Sequence, residues 1–160
     1  MGTETVEVTD ALGVTEGSGR LLIADDDPLV REALRELLEG YGFEVVGEAG
    51  DGLEAVRLAD ERVPEVVLMD VRMPRMDGIQ ATGEIRRRHP EIQVVMLSAY
   101  DEEGFEREAE AIGALCYLIK GVGARLLRDV LVSAVGTARG VAARLAAGQG
   151  AAPLGVPPGA

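Results

Sequence analysis

Five times along this chain a short apolar run stops abruptly and a helical pattern takes over. The runs lie at residues 21–24, 43–46, 66–69, 92–97 and 115–119. They lack the alternation of a strand wetted on one face, so each reads as a strand buried on both sides. Between them, apolar residues recur at helical spacing. Leu29, Val30, Ala33, Leu34, Leu37 and Leu38 do so in the first helical segment, and Leu53, Ala55, Val56, Leu58 and Ala59 mark an inner face in the second. Strand–helix pairs of this kind build a parallel sheet covered on both faces, and right-handed crossovers leave few ways to wind it. The expected fold class is α/β, a doubly wound five-stranded parallel sheet of order 2-1-3-4-5 with helices on both faces.

Punctuation sets the boundaries. Asp27-Pro28 suits a helix start, and Gly40 and Gly42 suit its end. Asp51-Gly52 opens a second helix, Gly78 to about Arg88 forms a third, and Pro90 ends it. A strongly acidic fourth helix is expected over 101–112 and a long fifth from Ala124. Residues 1–19 read as a flexible tail, 20–138 as one domain, and 139–160 as an extension of the fifth helix followed by a flexible tail.

A length of 160 residues suffices for one core. The net charge of −12 argues against a nucleic-acid-binding face across the whole molecule and suits a site for a divalent cation. No apolar stretch approaches the roughly 20 residues that span a bilayer, and the N-terminus lacks the pattern of a secretory signal. The single cysteine, Cys116, cannot form an internal disulfide. A cytoplasmic protein away from membranes is expected.

Polar residues stand at four of the strand exits. Asp25 and Asp26 follow the first, Asp70 ends the third, Ser98 ends the fourth and Lys120 follows the fifth. In the expected strand order these ends share one edge, where ligands of open α/β sheets bind. Taken singly, each has an ordinary explanation: Asp-Asp-Asp-Pro is helix-cap chemistry, and a lone Ser or Lys is loop chemistry. Jointly they are specific. Three converging carboxylates repel unless protonated or bridged by a cation, and an all-oxygen donor set suits Mg2+. Lys120 adds a positive point charge and Ser98 a hydroxyl. Such parts suit phosphoryl transfer, with Asp70 as nucleophile.

On Asp25-Asp26, Asp70 within Met-Asp-Val-Arg-Met-Pro-Arg-Met-Asp-Gly, Ser98 and Lys120, the chain resembles the receiver domains of two-component response regulators, which are flavodoxin-like. The resemblance implies a phosphoacceptor at Asp70, phosphorylated by a sensor histidine kinase that docks near Leu29 and Val30. It implies Mg2+ held by Asp26, Asp70 and the backbone carbonyl of Arg72, with Asp25 acting largely through water. It gives Ser98 a bond to a phosphoryl oxygen, pairs Lys120 with the phosphate, and makes Ser98 and Tyr117 the switch pair. Arg72 and Tyr100 flank the site at positions tied to the lifetime of the phosphoryl group. Two details depart from the common pattern: Ser98 replaces Thr, and Gly121 stands where many members have a proline.

About 20 residues follow the receiver's expected end, too few for an independent core, so a stand-alone receiver is expected. The alternatives are a phosphorylation-independent interaction module, the receiver portion of a truncated DNA-binding regulator, and a small phosphatase. The last is disfavoured because Arg72 stands where such enzymes place a second acid. Leu127, Leu131, Ala134, Ala138, Val141 and Leu145 form a heptad-like seam, which points to a homodimer or partner surface made by the fourth helix, fifth strand and fifth helix. Gly136 and Gly140 leave the helicity of its end open. Cys116 reads as a buried small hydrophobe, His89 as a poor ligand, and Arg86-Arg87-Arg88 as a solvated helix terminus.

Overall fold

Each apolar run forms a strand and each strand leads into a helix. The computed structural model describes residues 19–99 and 104–148. The order is β1 (Arg20–Ala24), α1 (Pro28–Gly40), β2 (Glu44–Ala49), α2 (Gly52–Arg62), β3 (Val66–Asp70), α3 (Gly78–Arg88), β4 (Gln93–Ser98), α4 (Phe105–Ala111), β5 (Cys116–Ile119) and α5 (Ala124–Ala146). All neighbouring strands pair in parallel, in the order β2-β1-β3-β4-β5. This is the doubly wound topology expected from the run pattern.

The period-two geometry of a strand divides each run between two cores. Leu22, Val67, Met69, Val94 and Met96 face α2, α3 and α4, where Ala55, Ala59, Ile85 and Ala109 meet them. Leu21, Ile23, Val66, Leu68, Val95 and Leu97 face α1 and α5, against Leu38, Leu127, Leu131 and Val135. Removing a side chain such as Leu131 from water contributes about 1.5–3 kcal/mol. Both faces are covered, which is why the runs carry no polar alternation.

The starts of α1, α2 and α3 are fixed by aspartates. The side chains of Asp27, Asp51 and Asp77 accept hydrogen bonds from the backbone N–H groups of Leu29, Glu54 and Gln80. α5 stays helical through Gly136 and Gly140, and its buried face ends at Ala138. Val141 is half-buried and Leu145 exposed, so the seam leaves the core after Ala138.

Three expectations need correction. Leu53 points outward, 51% exposed, off the buried face that α2 makes with Gly52, Ala55, Val56, Leu58 and Ala59. Arg86 is not solvated: its guanidinium donates to the carbonyls of Pro90 and Ile92 at the start of β4. Cys116 is only partly buried. The first residues expected in the fourth helix, 101–103, and the expected tails at 1–18 and 149–160 lie outside the described residues. No helix among those described is long and apolar enough to cross a membrane.

Candidate functional site

The five strands end together, and the polar residues at their exits meet above β1, β3 and β5. Asp25 and Asp26 follow β1, Asp70 is the last residue of β3, Ser98 the last of β4, and Lys120 follows β5. One carboxylate oxygen from each of Asp25, Asp26 and Asp70 lies within 4.8 Å of the others. Asp25, Asp70 and Ser98 are buried, whereas Asp26 faces solvent. Lys120 Nζ lies 2.7 Å from Asp25 Oδ2 and 3.5 Å from Asp70 Oδ2. The backbone N–H of Lys120 donates to the Ser98 carbonyl at 2.6 Å, joining the ends of β4 and β5.

Three acids and one ammonium leave this edge short of positive charge. Burial, then the charge of Asp25, push the Asp70 carboxyl up to about 6, although Lys120 opposes the rise. Burial would lower Lys120, but its hydrogen bond to Asp25 and the charges of Asp70 and Asp25 outweigh that and hold its ammonium above the usual lysine value. A hard divalent cation fits this arrangement. The donors are all oxygen, their spacing allows them to share one ion, and added positive charge would relieve the repulsion that adds to the effect of burial on Asp70.

The chain leaving Asp70 is tightly built. Gly78 is buried under the Asp70 carbonyl, which a Cβ at that position would overlap, and its N–H donates to the Val71 carbonyl at 2.8 Å. Gly52 likewise lies against the Met76 carbonyl and donates to it at 2.9 Å. Arg75, between them, has a left-handed backbone (φ 67°), and its guanidinium reaches Asp51. The Asp-Gly pairs legible at both helix starts are therefore places where backbone approaches backbone.

The remaining residues singled out from the sequence surround the cluster. Arg72 is exposed, with its guanidinium 5.6 Å from the centre of the Phe105 ring on α4. Tyr117 is half-buried in β5 and packs against the core beneath α4. Burial pushes the Cys116 thiol up. The peptide after Lys120 is trans, and Gly121 takes a left-handed φ of 99°. Tyr100 lies outside the described residues. His89 stands at the opposite edge of the sheet, 2.6 Å from Asp60.

Sequence reasoning missed Arg31. Its Nη1 donates to the Asp25 carbonyl at 2.6 Å, and its Nε lies 3.5 Å from Glu48. The signal was available, since Arg31 falls one helical turn after the cap at Asp27 and so returns to the β1 exit.

Comparison with known proteins agrees with this fold. Residues 21–132 match the response regulator receiver domain. Over 101 residues the chain is 46% identical to the transcriptional regulatory protein PdtaR of Mycobacterium tuberculosis, covering 63% of this chain and 49% of that protein. The chain thus spans about half the length of this curated relative. It is 36% identical to the chemotaxis protein CheY of Listeria monocytogenes over 115 residues, covering 72% of this chain and 97% of CheY. The signal receiver domain of NarL from Mycobacterium tuberculosis superimposes with a TM-score of 0.71 at 34% identity, covering 74% of this chain and 96% of that one. With the match running from β1 into α5, the chain belongs to the response regulator receiver domain family.

Proposed function

We propose that this receiver accepts a phosphoryl group on Asp70 from a sensor histidine kinase, with Mg2+ as cofactor, and that the added charge switches a partner-binding or dimerisation surface on α4, β5 and α5. The observation that carries the reading is the charge imbalance around Asp70. A buried carboxyl raised to about 6 by burial and a neighbouring acid still ionises at neutral pH, yet it sits where more positive charge is wanted. The setting proposed is the cytoplasm, and no direct nucleic-acid contact is proposed for this chain.

In the proposed step an Asp70 carboxylate oxygen attacks phosphorus. The bond from phosphorus to the donor's imidazole nitrogen breaks, its electrons stay on that nitrogen, and an acyl phosphate forms. Asp25, Asp26, Asp70 and the backbone carbonyl of Arg72 would hold Mg2+, which when bound supplies charge neutralisation between carboxylates and phosphoryl oxygens. Lys120 exchanges part of its attraction to Asp25 and Asp70 for a phosphoryl oxygen. Ser98 donates its hydroxyl to another, and Tyr117, packed beneath α4, follows as the switch. The exposed Leu29 and half-buried Val30 at the start of α1 are the proposed kinase contact. The phosphoryl group brings a charge of about −1.5 to −2, enough to bias a two-state surface.

The test is intact-mass analysis after incubation with Mg2+ and a small phosphoryl donor, beside Asp70→Asn. One phosphoryl group on the wild type alone, absent when EDTA is present during labelling, is expected. A folded, Mg2+-binding protein that gains no mass would overturn the reading in favour of a phosphorylation-independent interaction module.

A further inference from the structure

The loop between β3 and α3 is held by a contact that the site's own chemistry does not require. Arg75 lies in the left-handed region, where a side chain is strained and glycine is the usual occupant. Its side chain is 69% exposed, yet its guanidinium reaches back 24 residues in sequence. Nε and Nη2 meet the same oxygen, Asp51 Oδ2, at 2.9 and 2.8 Å. Asp51 is buried, and its other oxygen accepts the Glu54 N–H at 2.8 Å. Capping α2 needs only that one oxygen. The second is given to Arg75.

We propose that Arg75 and Asp51 are positioning residues: their ion pair clamps the loop after Asp70 onto the start of α2 and so fixes how the Asp70 carboxylate and the loop backbone meet a divalent cation. The inference rests on the cation-dependent site described above. The path of the chain supports it. One end of the loop is fixed where Gly78 lies against the Asp70 carbonyl and donates to Val71. The far end is tied to α2 by the Gly52 N–H on the Met76 carbonyl and by the Asp51–Arg75 pair. An ion pair with one partner this exposed adds little to global stability. Strained backbone held beside a functional cluster is better explained by the geometry it maintains.

The experiment compares wild type, Arg75→Ala, Arg75→Lys, Asp51→Asn and the double variant Arg75→Ala/Asp51→Asn. The readouts are Mg2+ affinity of the unphosphorylated protein by calorimetry, thermal midpoint, and intact-mass labelling. Asn retains helix-capping ability, so Asp51→Asn tests the pair rather than the cap. Arg75→Ala and Asp51→Asn are each expected to weaken Mg2+ binding about tenfold, as loss of a residue supporting metal ligands does. The double variant should lose no more than either single one, because the two act as a unit. Arg75→Lys should recover part of the loss. The thermal midpoint of Arg75→Ala should stay close to wild type. Unchanged Mg2+ affinity in both single variants, a wild type that binds no Mg2+, or losses that merely follow the thermal midpoint would overturn the clamp. The two readings fail separately. A wild type that takes up phosphoryl while its Mg2+ affinity ignores Arg75 removes the clamp alone, and a clamp that controls Mg2+ affinity in a protein never phosphorylated removes the phosphoacceptor alone.

Discussion

The two edges of the sheet handle charge in opposite ways. At the edge where the strands begin, acids and bases answer one another. Glu65 accepts the Arg20 N–H at 3.0 Å and the Arg139 guanidinium at 2.6 Å. Asp60 meets Arg88 at 2.7 Å and His89 at 2.6 Å. The guanidinium of Arg20 donates to the carbonyls of Arg62 and Val63 where α2 ends. His89, then Arg88, hold Asp60 below the usual carboxylate range. At the edge where the strands end, Asp25 and Asp70 share Lys120 with Asp26 close by, and Asp70 is pushed the other way. Satisfied charge at one edge closes the structure. Unsatisfied charge at the other is where an added cation would be favoured.

Removing Lys120 should sharpen this contrast most. Lys120→Ala takes away the positive charge nearest Asp70, so labelling by a small phosphoryl donor should fall about 100-fold or more. The Asp70 carboxyl should also rise further, visible in the pH dependence of its carboxyl NMR resonance.

Asp70→Asn should stabilise the protein above about pH 6. The folded-state value of about 6 exceeds the unfolded 3.8, so the folded form binds the proton more tightly and wild-type stability falls as pH rises across that window. At 1.36 kcal/mol per pH unit, and reduced for relaxation, the substitution should gain about 1–3 kcal/mol at pH 7. Thermal unfolding from pH 4 to 8 checks this: the two midpoints should converge near pH 4. A gap of constant size would break the electrostatic account.

Glu65→Gln, at the balanced edge, should cost about 1 kcal/mol in denaturant unfolding, since partly exposed pairs contribute little. It should leave Mg2+ affinity and labelling unchanged. An effect on labelling comparable to that of Lys120→Ala would mean that the two edges are not independent.

Much of this was legible in the chain because burial on two faces leaves a plain mark. A strand such as Val66–Asp70 has no polar residue until it exits, so the polar residue that ends it stands out. The cluster at the strand ends followed from topology alone. Less legible were contacts that depend on where long side chains go. Arg86 reads as one of three terminal arginines, yet the carbonyls of Pro90 and Ile92 take it inward. Strand β2 runs on to Ala49 through Gly47 and Glu48, which look like loop residues. It is an edge strand pairing only with β1, so polar side chains there reach solvent or, for Glu48, the Arg35 guanidinium of α1. The helicity of α5 beyond Gly140 was open because glycine cost and length pull oppositely, and the packed face through Ala138 carries the helix onward. Arg75 and Asp51 are 24 residues apart, a spacing with no periodic signature.

The hydrogen bond from the Lys120 backbone to the Ser98 carbonyl makes one mechanical piece of two donors supplied by different strands. Substitutions in α4 can therefore be made without changing the register of hydroxyl and ammonium, which the sheet itself maintains. A reporter carried on α4 would sense that helix while leaving the donor spacing as a fixed internal ruler.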